Sequence, residues 1–317
     1  MRAVADPWIA DPIGTALAAI EDRAVGALLG LAIGDAIGAT LESALRDCCA
    51  PVEGMIGGGL FRLEPGQWTD DTSLALALGE SLVERGGLDE ADLMQRFGAW
   101  WREGRYASTG RSFGIGPTTR ASLERWLVTG DPVAGSAAPD TATNGSLMRL
   151  APVAIRYWND AAKRREAAAR QSRTTHGAAE AVDACIAFAD LLADAIAGKP
   201  RIEVLRARDE PLADTIATIM KGSWRGKQRK EIASSSYVAH TLEAAIWSMA
   251  TTGDFRSAIL LAANLGDDAD TTAAVTGQIA GALYGLSGIP GDWKERVFWS
   301  ERIQILGRQL VAPPLRR

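Results

Sequence analysis

Apolar residues recur at three- and four-residue spacing over seven stretches of this chain, and each stretch predicts a helix. The stretches are 21–41, 73–83, 90–102, 118–127, 178–197, 241–249 and 272–286. Glycine and proline punctuate them at Gly86-Gly87, Gly130-Asp131-Pro132, Gly198-Lys199-Pro200 and Gly288-Ile289-Pro290. No alternating β-rich run exceeds five residues, so the pattern predicts an all-α fold. No internal repeat of fixed period is present. Residues 1–20 precede the first strong pattern and read as an N-terminal extension, leaving 21–317 as a single domain. Segment 106–147 is rich in Gly, Ser and Thr and weakly periodic, and long loops in compact domains often carry function. The basic stretch 221–230 reads as an exposed connector.

Composition narrows the class. The chain has 317 residues, 47% of them hydrophobic, which suffices for a buried core. The most apolar run, 24–41, contains Asp35 and four glycines, which marks a buried helix instead of a membrane span. A net charge of −5 argues against a nucleic-acid surface, yet leaves room for a small anion held by local donors. Cys48, Cys49 and Cys185 form no disulfide framework, and with two histidines they supply no zinc site of the usual spacing. The first six residues lack an apolar signal core. The expected setting is cytoplasmic, with no membrane partner.

Two acidic clusters carry the candidate chemistry. One is Trp68-Thr69-Asp70-Asp71-Thr72; the other is Gly266-Asp267-Asp268-Ala269-Asp270-Thr271-Thr272. Carboxylates this dense repel one another unless a positive charge sits between them, and a hard divalent cation prefers oxygen ligands. Thr69 as an N-cap, with Asp70 and Asp71 in the first turn, would account for the first cluster without any metal. The second fits capping less well. Residues two apart on a helix point about 200° apart, so Asp268 and Asp270 converge only where a helix begins. Thr271 adds a hydroxyl oxygen. An EF-hand is excluded, because Ala273 and Ile279 stand where Gly and Glu are required. Glu42 ends the first apolar helix, where a carboxylate opposes the helix dipole. Two divalent cations would nearly neutralise Glu42, Asp70, Asp71, Asp268 and Asp270. Mg²⁺ suits an all-oxygen site that keeps several waters, with Mn²⁺ as a substitute.

These pieces resemble, in order, the motifs of the ADP-ribosylglycohydrolase family. Residues 26–42 resemble its opening helix, with Gly34-Asp35-Ala36-Ile37-Gly38 and the following Glu42. The two acidic clusters resemble its metal motifs, and Thr143-Asn144-Gly145-Ser146-Leu147-Met148-Arg149 its Asn-Gly…Met-Arg loop. Thr175-His176 and Ser235-Ser236-Tyr237-Val238 complete the set. The resemblance implies a compact orthogonal helical bundle with a binuclear magnesium cleft. It implies Thr69, Asp70, Asp71, Asp268, Asp270 and Thr271 as metal ligands, with Glu42, Asp70 and Asp268 doing the catalytic work. ADP-ribose would lie across the cleft. Asn144 and Gly145 would present backbone N–H groups to its diphosphate, with Ser146 also on the substrate-binding side. Arg149 would pair with phosphate, His176 would sit in the ribose-phosphate region, and Tyr237 would stack on adenine.

The sequence departs from the family at two positions. Gly114, in Ser112-Phe113-Gly114-Ile115-Gly116, stands where arginine-directed members commonly carry an Asp that could hold a guanidinium. Asp267 stands where the family usually has Gly. The implied activity is Mg-dependent hydrolysis of the bond between ADP-ribose and a protein acceptor, most simply arginine. The alternatives are a weakened ADP-ribose-binding protein, or an immunity protein that reverses or physically blocks an ADP-ribosylating toxin through residues 1–20.

Overall fold

The computed structural model describes residues 12–312. Among them are fourteen α-helices and no strand. The first seven are α1 (Pro12–Gly38), α2 (Asp70–Arg85), α3 (Glu90–Glu103), α4 (Pro117–Thr129), α5 (Ala151–Arg156), α6 (Ala161–Arg173) and α7 (Ala179–Ile196). The rest are α8 (Arg201–Val204), α9 (Asp214–Lys221), α10 (Val238–Thr251), α11 (Phe255–Ala263), α12 (Ala269–Tyr284), α13 (Gly291–Arg296) and α14 (Ser300–Val311). All seven predicted helices are present, and the fold is all-α as the apolar spacing required. Among the described residues no helix is long and apolar enough to cross a membrane.

The central contact is between α1 and α12, which run antiparallel with their backbones touching. Gly26, Gly30, Gly34 and Gly38 face Gly281, Gly277, Ala273 and Ala269 in register. A Cβ on Gly30 would collide with the Gly277 carbonyl oxygen, and one on Gly34 with that of Ala273. Glycine at every fourth position removes the ridge that normally holds helices 8–10 Å apart. The pairing brings the C-terminal end of α1 against the N-terminal end of α12, where the second acidic cluster lies.

Helix α1 spans Pro12–Gly38, so residues 12–20 of the expected extension lie within it. Residues 1–11 lie outside the described residues. The apolar spacing did not reveal α6, whose sequence is rich in Arg and Ala; its buried residues are Arg164, Ala167, Ala168, Ala169, Gln171 and Ser172, with no large apolar side chain. The connector 221–230 is largely exposed, as its charge suggests, but it is anchored at a few points. Trp224 is buried, Lys227 pairs with Glu243 at 2.7 Å, and Arg229 pairs with Asp47 at 2.8 Å. Arg46 ties it to the site by donating to the carbonyls of Arg229, Ile232 and Leu265 at 2.6–2.9 Å.

Candidate active site

Three helix ends converge on one acidic cleft of about 280 Å³: the C-terminal end of α1 and the N-terminal ends of α2 and α12. Glu42, Asp70, Asp268, Asp270 and Thr271 line it, with Asn144, Gly145, His176, Gly114 and Phe61. The two motifs, far apart in sequence, thus form one site.

Asp35 organises it, and the sequence reading gave this residue no role. Its carboxylate is fully buried and accepts four hydrogen bonds: from Thr69 N (2.9 Å), Thr69 Oγ1 (2.9 Å), Thr72 N (3.0 Å) and Thr72 Oγ1 (2.7 Å). Asp35 is therefore the N-cap acceptor of α2, supplied from α1. Thr69 occupies the N-cap position, but its hydroxyl caps nothing. The signal was available in principle, since a lone Asp within an apolar glycine-rich helix requires buried donors.

The carboxylates crowd. One oxygen each of Glu42, Asp268 and Asp270 lie within 4.8 Å of one another, as do those of Asp35, Asp71 and Asp270. Burial pushes the Asp70 and Asp71 carboxyls well above the usual range, with the Asp35 charge adding to it. Burial does the same to Asp270, with Glu42 as the next cause, and raises Asp268 and Glu42 as well. Asp71 Oδ1 and Glu42 Oε2 are buried without any hydrogen-bond partner. Two orphaned carboxylate oxygens in an all-oxygen cluster fit a divalent cation. Glu42 lies on the turn beyond α1, which ends at Gly38, so its strain comes from burial and like charge and not from the helix dipole.

The loops complete the cleft. Asn144 Nδ2 donates to Asp268 Oδ2 (2.9 Å) and Thr241 Oγ1 (2.8 Å), fixing the carboxylate, while its own N–H is taken by the Ser236 carbonyl (3.0 Å). Gly114 rests on Asp70: its φ is +78°, and a Cβ there would stand 2.7 Å from Asp70 Oδ1. Phe61 lines the wall beside it, its ring 5.0 Å from that of Phe113. No pattern in the sequence points to Phe61, which sits in an irregular turn. Asp267 is exposed at φ +61°, exchanging backbone hydrogen bonds with Ser43 and Ala44, and its charge adds to the causes that raise Asp268.

Two expected metal ligands, Thr69 and Asp71, lie buried behind the cleft lining, with the Thr69 hydroxyl donating to Asp35 and Asp71. Three residues expected to bind substrate also do not line it. Arg149 is fully buried; it bonds Gln171, Thr174 and Thr175 and lies over the Phe97 ring, 4.5 Å from its centroid. Ser146 turns its hydroxyl inward to Ser172 Oγ at 2.8 Å. Tyr237 donates to Glu180 (2.7 Å) and lines a neighbouring cavity of about 470 Å³ with Thr215, Lys227 and His240. The glycine-mediated approach of Gly145 leaves His176 beside the cleft: a Cβ on Gly145 would stand 2.7 Å from His176 Cε1. Burial pulls the His176 imidazole down to about 3, so it is neutral.

An all-helical body whose helix ends deliver converging carboxylates to one cleft defines a protein built around a buried acidic, cation-accepting centre. The chain belongs to the ADP-ribosylglycohydrolase family, whose sequence model matches residues 16–315. It is 47% identical over 289 residues to the ADP-ribosylarginine hydrolase Tri1 of Pseudomonas putida, covering 91% of this chain and 78% of that protein. It is 34% identical to the ADP-ribosyl-[dinitrogen reductase] glycohydrolase of Rhodospirillum rubrum, covering 88% and 91%. A solved structure described as an ADP-ribosylglycohydrolase-related protein complex superposes with a TM-score of 0.81 at 42% identity, covering 92% of this chain and 98% of that one.

Proposed function

We propose that this protein hydrolyses the glycosidic bond between ADP-ribose and a modified protein arginine, reversing mono-ADP-ribosylation in the cytoplasm. The observation that carries the reading is the buried carboxylate centre with two orphaned oxygens, in a chain 47% identical to an ADP-ribosylarginine hydrolase. Asp70, Asp71, Asp268, Asp270, Thr69 and Thr271 would hold two Mg²⁺ ions, with Mn²⁺ as a substitute. Bound there, the ions supply Lewis-acid chemistry for an oxygen-rich substrate. Water adds to the anomeric carbon, the C–N bond breaks, and free ADP-ribose and a guanidinium leave.

The protein groups divide the remaining work. Glu42, half-buried with one oxygen unpartnered, is placed to take a proton from the attacking water. Asn144 holds Asp268 in position. Gly145 and His176 line the part of the cleft leading to Thr143, and the diphosphate extends past them. The adenine end reaches toward the cavity beside Tyr237. At the other end the Phe61 ring faces the cleft beside Gly114, and an aromatic face suits a departing guanidinium.

Incubation with an ADP-ribosylated-arginine substrate tests the reading. Release of ADP-ribose should require added Mg²⁺ or Mn²⁺ and stop with EDTA, and Asp268→Asn should abolish it while ADP-ribose still binds. Metal-independent release, or full activity in Asp268→Asn, contradicts the two-ion assignment. Binding of ADP-ribose without any release indicates a binding protein.

A further inference from the structure

We propose that Thr143 donates its hydroxyl proton to a phosphate oxygen of the ligand in the cleft, and that a buried relay starting at Arg149 fixes this direction from behind. The identity of the ligand rests on the reading above; the polarity of the relay does not.

The relay is deduced from what each group can do. A guanidinium only donates, so Arg149 Nη2 gives a hydrogen bond to Thr175 Oγ1, at 2.8 Å. Thr175 has one hydroxyl proton, and its other neighbour is His176 Nδ1, at 2.7 Å. That proton goes to Nδ1, which therefore accepts. A neutral imidazole accepting at Nδ1 carries its hydrogen on Nε2. Nε2–H then donates to Thr143 Oγ1, at 3.0 Å. Thr143 is now an acceptor toward the interior, and its own proton has to go elsewhere. Among the described residues no other group hydrogen-bonds its hydroxyl, and Thr143 lines the cleft. The opposite polarity would leave the Thr175 proton with no acceptor in a fully buried position, which is costly.

The relay also selects the ligand. It begins at a buried cation, and hydrogen bonds in series polarise one another in the same sense. The proton delivered to the cleft is thus a better donor than an ordinary threonine hydroxyl, which favours an anionic oxygen over a sugar hydroxyl. The ring cannot turn away, because Gly145 packs on one edge and His176 is 1% exposed. It also stays neutral, since burial holds it near 3.

Two experiments on the intact protein test this. The chain has two histidines, so ¹⁵N chemical shifts of the rings, assigned with His240→Gln, report the tautomer of His176 directly. Protonated Nε2 and bare Nδ1 are expected; the reverse overturns the relay whatever the enzyme does. Calorimetric titration with ADP-ribose and with ADP, in Mg²⁺, reads the consequence. Thr143→Val should weaken both by about 10- to 100-fold, as for a hydrogen bond to a charged group, while Thr143→Ser stays near wild type. Loss of ADP-ribose affinity alone would move the contact to the ribose and overturn the phosphate assignment. Unchanged affinity for both, in a variant melting with the wild type, overturns the proposal. Failure to release ADP-ribose from arginine would instead count against the reaction and leave the tautomer standing.

Discussion

At the scale of single residues, Gly114 is where sequence and structure pull apart. Family resemblance makes its missing carboxylate look like a lost guanidinium contact, and restoring Asp looks like a repair. The backbone says otherwise. Gly114 adopts φ +78°, which side chains disfavour, and a Cβ would press on Asp70 Oδ1 at 2.7 Å. A carboxylate there would also add negative charge beside a cluster already raised by burial and mutual repulsion. Gly114→Asp is therefore expected to lower kcat/KM for ADP-ribosylated arginine by at least about tenfold, with Gly114→Ala falling in between. An increase in activity on Asp substitution would mean that the loop is free to lift and that the family contact can be rebuilt. Arg149 teaches the complementary lesson. Conserving charge type in a motif says nothing about where the side chain points, and this guanidinium faces the core.

At the scale of helices, apolar spacing made the main body legible. The seven predicted stretches all fold as helices: α3 and α7 bury one apolar face, while α12 is buried almost all round. Of the others, α6 buries mainly Ala beneath charged neighbours, which leaves little periodic contrast, whereas α14 carries Ile303, Leu306 and Leu310 at helical spacing and was legible in principle. The site was legible where chemistry is written in type, as in the carboxylates of both clusters. It was not legible where it depends on packing, as with Asp35, Phe61 and the inward turn of Ser146. The α1–α12 glycine register is the element on which the site depends, since it sets Asp35, Glu42 and Asp270 against one another. Gly30→Leu places a side chain into the Gly277 carbonyl. Overpacking of this kind typically costs about 1–3 kcal/mol and more where backbone must move. The denaturation midpoint should fall accordingly, and Mg²⁺ should recover little of it. A Gly30→Leu protein of wild-type stability would show that the helices can separate without harm.

At the scale of the whole molecule, acid stability joins the site to the fold through two opposed effects. The cleft carboxylates are raised above their unfolded values, so without metal the folded state binds protons more readily there, and acid relieves their repulsion. His176 acts in the other sense. Its folded value lies near 3 against an ordinary 6.5, so below about 6.5 the unfolded chain takes up a proton that the folded chain refuses. Stability from this group is fully present above 6.5 and is lost as the pH falls toward 3. The slope approaches about 1.4 kcal/mol per pH unit, an upper bound reached only if nothing relaxes. Comparing wild type with His176→Gln in EDTA cancels the carboxylates, which both proteins share. Wild type should lose stability faster between pH 6.5 and 4.5, so the two unfolding curves, offset at neutral pH, should converge on acidification. Parallel curves would mean that His176 gains a proton in the folded state, which the relay through Thr175 and Thr143 forbids.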